Sequence, residues 1–355
     1  MRMKLDELDL RSQDILRQAI HTFIISGEPV GSRTLAKLNP EGLSPATIRN
    51  IMSDLEETGY VYQPHTSAGR VPTDKGYRFY VSNLAQGPGL TRDEQDLIGA
   101  SLKEAALDVN ELAKQTSRLL SDMTDHVSFV IGPDFQQSVL RHIDFLKLAP
   151  RRILVVLVSQ TGQVTNRVIE LSEDLTAVEL EKSARYLMDE FSNFTLLEIR
   201  EALLSRLREV RALYNRVVEN ALRLGQATFT EVLAPRDVYL EGTSRLLKKP
   251  EFKSNIEQAR KLLSISEEKS RLADILNACL GGQDLEIIIG SETRVPDLEG
   301  LSLIAARYSF GDKEFGSLGI VGPTRMEYAK FVSVVDYIAH SLSDAISRAG
   351  NESAH

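Results

Sequence analysis

Residues 43–81 read LSPATIRNIMSDLEETGYVYQPHTSAGRVPTDKGYRFYV, a capped amphipathic helix followed by a turn-rich basic hairpin. Ser44 is an N-cap residue type, and Pro45 takes the first helical position, where its missing N–H breaks no hydrogen bond. Ile48, Ile51, Met52 and Leu55 recur at helical spacing and define an inward stripe. The opposite face carries Thr47, Arg49, Asn50 and Ser53, side chains with the length and polarity to reach base edges or phosphates. Gly59 is placed to end the helix in the left-handed conformation. Tyr60–Gln63 reads as a short strand, Pro64–Gly69 as a tip, and Arg70-Val71 as the start of a return strand.

Working upstream, Asp9–Ser26 places Ile15, Leu16, Ala19, Ile20, Phe23 and Ile24 on one helical face, with Gly27 as a stop. Gly31–Leu38 is long enough for two turns, and Asn39-Pro40-Glu41-Gly42 is a tight connection. Helix, short helix, turn, capped helix and hairpin predict a winged helix-turn-helix. Such modules contact either nucleic acid or protein; the Arg49-Asn50 pair and a tip bearing His65 and Arg70 favour a polyanion.

Residues 1–90 carry ten basic and ten acidic side chains, and residues 91–355 carry 32 and 40, so the net charge of −8 arises beyond the module. An acidic chain is not drawn onto DNA by its overall field. Attachment falls to a local patch, for which Arg33, Lys37, Arg49, Arg70, Lys75 and Arg78 are candidates. The expected DNA-binding set is Arg33, Thr34, Ser44, Thr47, Arg49, Asn50, Ser53, His65, Ser67 and Arg70. Thr47, Arg49 and Asn50 are expected in the major groove and Ser53 at the backbone. His65, Ser67 and Arg70 are expected along phosphates or in the minor groove, with a structural pair to Asp74 as the alternative for Arg70. One module binds weakly, which predicts a dimer on the inverted repeat of double-stranded DNA.

The run Leu43–Val81 resembles the N-terminal signature of the HrcA family, the heat-inducible transcription repressors of bacteria, and Ile320–Tyr328 (IVGPTRMEY) carries the resemblance close to the C-terminus. It implies a negative regulator of class I heat-shock (chaperone) operons that binds an inverted-repeat operator of the CIRCE type as a homodimer. It further implies dependence on the GroEL chaperonin, so that heat or chaperonin titration relieves repression. The fold it implies beyond the DNA-binding module is a GAF-like domain with an inserted dimerising domain.

A length of 355 residues suggests two to three domains, and 42% hydrophobic residues supply their cores. Cys279 is the single cysteine, which excludes an intrachain disulfide and indicates a reducing compartment; it is expected to be a buried small hydrophobe. The N-terminal MRMKLDELDL is charged throughout, and the longest aliphatic run, Ile153–Val158, is too short to span a bilayer. A soluble cytoplasmic protein without membrane contact is expected.

The composition of AQGPGLTR marks a linker after the first module. A helix over 93–125 and a buried strand over Val127–Ile131 follow. Val139–Leu148, Arg152–Ser159 and Gln163–Leu171 read as strands, the last two joined by a hairpin turn at Gln160-Thr161-Gly162. Strand signals then lapse for about a hundred residues and return at Leu285–Ile289, Ser302–Phe310 and Phe315–Val321, before a last helix capped by Thr324. The expected class is multidomain α+β. Its parts are a winged helix (1–85), a linker (86–96), a discontinuous GAF-like domain (97–171 and 270–349), an inserted, mainly helical dimerising domain (172–269) and a tail (350–355).

Leu203, Leu207, Val210, Tyr214, Val217, Ala221 and Leu224 alternate by four and three residues, the spacing of a helical packing seam. The same stripe fits a helix packed within its own domain. The need for a paired DNA-binding unit, with the resemblance, assigns it to dimerisation.

Catalysis is not expected. Gly316, Gly319 and Gly322 precede a helix, but Pro323 stands where a phosphate loop needs Lys and a hydroxyl residue, and the spacing is not that of a dinucleotide fingerprint. Glycines in a strand and its exit turn fit close packing instead. The six histidines show no paired ligand spacing, so neither metal nor cofactor is expected. The remaining alternative is a winged-helix regulator switched by a small ligand in the GAF-like domain.

Overall fold

A computed structural model describes residues 8–84, 89–104, 109–132, 138–160, 164–209, 216–232, 238–246, 249–254, 260, 275–276, 284–293, 298, 300–310 and 313–352. Val210, Tyr214, Cys279, Thr161, Gly162 and residues 86–88 of the expected linker lie outside them, and the linker's far end, expected at 96, is already helical from Arg92.

The N-terminal unit contains α1 (Leu10–Ser26), α2 (Ser32–Leu38), α3 (Pro45–Glu57), an antiparallel hairpin of β1 (Val61–Tyr62) and β2 (Val71–Pro72), and α4 (Asp74–Ser82). Local chemistry sets these limits. The Asp9 carboxylate accepts from Ser12 N at 2.7 Å, and Gly27 leaves α1 in the left-handed region at φ 69°. Ser44 caps α3, and Gly59 at φ 77° turns the chain into the hairpin. Ile48, Met52 and Leu55 pack against Leu16, Ile20 and Leu35, all buried. Helix α4 was not anticipated; Thr73 caps it by accepting from Gly76 N at 3.2 Å, and its Tyr77, Phe79 and Tyr80 are buried.

The expected helix over 93–125 is two, α5 (Arg92–Glu104) and α6 (Val109–Thr124). A five-stranded antiparallel sheet has the order β7-β3-β10-β9-β8, from β3 (Val127–Ile131), β7 (Val238–Glu241), β8 (Leu285–Ile288), β9 (Leu301–Phe310) and β10 (Lys313–Pro323). Strand β7 falls where sequence showed no strand signal. The α10 helix (Tyr328–Glu352) and α6 cover one face with Val334, Val335, Ile338, Leu342 and Leu120. Phe252, Ile275 and Leu276 pack on the other. Thr324 does not cap α10; its hydroxyl lies 3.3 Å from Gly300 O, and the helix starts four residues later. The glycines of β10 act by their size: a side chain on Gly316 or Gly319 would run into the carbonyls of Ile131 or Ile304 on the flanking strands.

A second core belongs to residues 140–229. Strands β4 (Leu140–Ala149), β5 (Arg152–Ser159) and β6 (Val164–Glu170) pair only with one another, in that order, among the described residues. Their inner face, with Ile143, Phe145, Val155 and Leu157, packs on α7 (Ala177–Phe191), α8 (Leu196–Glu209) and α9 (Arg216–Val232). The insertion therefore starts before β4 and ends before β7, which corrects the expected limits of 172 and 269. Periodicity finds strands but does not say which strands they join.

The stripe assigned to dimerisation is corrected as well: it is not one helix. Leu203 lies on α8, whereas Val217, Ala221 and Leu224 lie on α9, which packs against α8. Leu203, Ala221 and Leu224 are fully buried within the chain, and Val217 is half-buried. The apolar surface of Leu203, Ala221 and Leu224 is used inside the protomer, and the Leu207 side chain lies, with Val210 and Tyr214, outside what is described.

His126, just before β3 and against Phe331 of α10, is 94% shielded from solvent, with Nδ1 2.6 Å from Thr124 O. Burial, above the opposing backbone bond, pushes its pKa down to about 4. A ring held neutral in the fold but free to protonate when unfolded stabilises fully above about pH 6.5 and progressively less down to about 4, a loss of roughly 3 kcal/mol. Thermal melts at stepped pH are expected to show an acid loss in the native chain that is smaller in His126→Gln; equal slopes would remove this histidine as the cause.

Candidate nucleic-acid interface

The N-cap of α3 organises its exposed start. Ser44 Oγ accepts from Thr47 N at 3.1 Å and lies 2.9 Å from Thr47 Oγ1, so both hydroxyls sit together at the helix entrance. Arg49 and Asn50 follow on the solvent face, opposite buried Ile48 and Met52. Among the described residues, no hydrogen bond or ion pair holds Arg33, Arg49 or Asn50. An exposed guanidinium on a helix fixed by a packed core is a preorganised hydrogen-bonding fork.

The hairpin folds back alongside. Val30 and Arg70 exchange backbone hydrogen bonds of 2.9 and 2.8 Å, which bring the start of α2 to the base of the hairpin. Between α2, α3 and the tip lies a cleft of about 530 Å³ whose lining includes Arg33, Arg49, Gln63, Thr66, Ser67 and Arg70. The structure thus gathers four of the ten expected residues, Arg33, Arg49, Ser67 and Arg70, into one concave wall. Ser44, Thr47 and Asn50 flank it on α3, Thr34 is exposed on α2, His65 is exposed on the tip, and Ser53 is half-buried.

Arg70 departs from its expected role at phosphate, and also from the alternative pair with Asp74. Its side chain is only 17% exposed, and its guanidinium stands 2.7 Å from Glu56 on α3. Glu56 accepts from Gln63 N at 2.9 Å as well, and the Gln63 amide donates to Thr66 O and Ala68 O at 3.0 and 2.8 Å. Glu56, Gln63 and Arg70 therefore hold the tip against the helix. No sequence signal marked Glu56 or Gln63, because both lie in runs whose spacing fits any solvated face.

The wider basic patch contracts too. Lys75 Nζ donates to Thr58 O at 2.9 Å and sits 4.3 Å over the Tyr60 ring, and Arg78 is paired with Glu292. Arg33, Lys37 and Arg49 remain solvent-facing. If Arg70 is structural, Arg70→Met should weaken the fold of this unit by roughly 1–2 kcal/mol, the scale of a charge-assisted hydrogen bond. The slope of log affinity against log salt should stay unchanged rather than fall by about 1. A reduced slope with an unshifted melting temperature would return Arg70 to the phosphate contacts.

The family model for the C-terminal domain of HrcA proteins matches residues 110–332. The heat-inducible transcription repressor HrcA of Geobacter sulfurreducens is 40% identical over 337 residues, 95% of this chain and 98% of that one. The chain belongs to the HrcA family. The HrcA repressor of Syntrophobacter fumaroxidans is 36% identical over 349 residues, 98% of this chain and all of its own length. The crystal structure of a hypothetical protein shares the fold, at 23% identity and a TM-score of 0.63 over 97% of this chain and 100% of that one. Membership of the HrcA family covers both cores, and the N-terminal unit lies within the aligned length. Among the described residues, no helix is long and apolar enough to cross a membrane, and no group of three acidic, His or Cys side chains is placed to hold a metal ion.

Proposed function

We propose that the chain is a repressor of heat-shock genes, a transcription regulator rather than an enzyme, acting in the cytoplasm on double-stranded operator DNA. Its N-terminal unit is read as a winged helix-turn-helix. Helix α3 enters the major groove with Thr47, Arg49 and Asn50, and the hairpin, with His65 and Ser67, lies along the backbone. The observation that carries this is an exposed, unpaired Arg49-Asn50 pair on a helix whose other face is locked into a core, beside a cleft that also holds Arg33 and Ser67. Phosphate contacts position such a module, and Arg49 is the side chain able to specify a guanine.

The five-stranded unit is read as the GAF-like domain, and residues 140–232 as the dimerising insertion. With Leu203, Ala221 and Leu224 buried, the outer face of its sheet is read as the surface that meets a second copy. Cross-strand partners Leu146, Leu154 and Val168 form one row of that face, and Val158 and Val164 end another. Leu146, Val164 and Val168 are 48, 55 and 45% exposed. A water-facing side of an antiparallel sheet ordinarily alternates to polar residues, as His142, Asp144 and Asn166 do here; the aliphatic row of Leu146, Leu154 and Val168 suits a partner.

A gel-shift titration tests the function, using inverted-repeat duplexes of the CIRCE type and scrambled ones, with and without the GroEL chaperonin that the family resemblance implies. Preference for the inverted repeat by roughly a thousandfold or more is expected. Equal affinity for both duplexes would end the repressor reading.

A further inference from the structure

The N-terminal unit is docked on the five-stranded unit through polar contacts that DNA reading by α3 does not require. Arg78 Nε donates to Glu292 Oε1 at 2.6 Å, its second nitrogen reaches both Glu292 and Ile287 O (2.6 Å), and Glu292 is itself fixed by Ile289 N at 2.9 Å. One turn earlier on α4, Asp74 accepts from Ser291 N at 2.8 Å. Spaced by four, the two side chains share a face of the helix. Beside them Tyr77 and Tyr328 rings meet at 5.9 Å. A separate strut closes the other end: Arg325 donates to Ile24 O, the last turn of α1, at 2.8 Å and to Glu251 at 2.6 Å.

Helix α4 is also tied to the reading elements. Thr73, its cap, donates to Gly59 O at 2.7 Å, at the end of α3, and β2 runs directly into it. Whatever fixes α4 on residues 287–292 therefore fixes the direction in which α3 projects.

We propose that Asp74 and Arg78 with Ser291 and Glu292, together with Arg325 on Ile24, form a clamp that sets the orientation of each reading helix, making Arg78 and Glu292 positioning residues for the spacing between operator half-sites. The inference rests on the dimeric DNA-binding reading. Two heads held at one angle engage only half-sites at the matching separation; two heads on loose joints tolerate many. The clamp residues touch no DNA, so each half-site keeps its own affinity.

The test uses the full-length chain with Glu292→Gln and, separately, Arg78→Lys, which keeps the charge but loses the fork that spans two partners. Affinities are measured on a single half-site duplex, on the preferred inverted repeat, and on repeats whose spacer is changed by roughly half a helical turn, about five base pairs. The native chain is expected to penalise the altered spacer by roughly tenfold or more, and both variants by less than about threefold, with single half-site affinity within about twofold. Retention of the native penalty in both variants overturns the clamp, as does a half-site loss as large as the loss on the full operator. Failure of the native chain to prefer any inverted repeat is a different result: it removes the functional reading, and this one with it.

Discussion

Replacing Arg49 by alanine is expected to lower operator affinity by roughly 1–3 kcal/mol per half-site, about five- to 150-fold, and by about twice that free energy in a dimer using both. The side chain stands on the exposed face of α3, one residue past buried Ile48, and no partner within the described residues holds it. Its removal therefore leaves no orphaned charge in the fold, and alanine is the better helix former. The melting temperature should not fall. Scrambled duplex should lose only the contribution of one phosphate-scale charge, so the ratio of specific to non-specific affinity drops. Unchanged preference for the inverted repeat in Arg49→Ala would show that α3 does not read the bases.

Charging the outer sheet face should separate the subunits. Leu146→Asp combined with Val168→Asp puts two carboxylates on the two outer strands of one row, flanking Leu154 on the central strand. Both positions are about half exposed in the protomer, so the fold of the insertion should survive. Sedimentation is expected to report monomers, and operator affinity to fall by roughly 10²–10⁴ as the second half-site loses its effective concentration. A dimer that persists in this variant moves the interface elsewhere. Leu203→Asp provides the contrast: at a fully buried position, it should unfold the insertion, with the melting temperature falling before any dissociation is seen.

The contrast between these two variants shows where sequence reading stopped. The spacing from Leu203 to Leu224 marks Leu203, Ala221 and Leu224 as inward positions but carries no information about what covers them. In the structure, α8 and α9 cover each other. Conversely the outward aliphatics of β4–β6 were legible only as strand residues, since alternation does not say which face meets a helix layer. Arg70 and Arg78 illustrate the same limit for charge. Both count as candidates for a polyanion on type and position, yet Glu56 and Glu292 take them, the latter from 214 residues away.

Caps, stops and periodicity were enough to define α1, α2, α3 and the hairpin, because a capping hydroxyl, a left-handed glycine and an i, i+3, i+4 stripe act within a few residues of themselves. The same local chemistry argued against a phosphate loop at Gly316–Gly322, where Pro323 stands in place of the needed Lys. Which strands form the separate three-stranded sheet, which cations remain free to meet phosphate, and how the N-terminal unit is seated were settled only in three dimensions. Those outcomes depend on partners brought together by packing across hundreds of residues, and no short window of chain contains both members of such a pair.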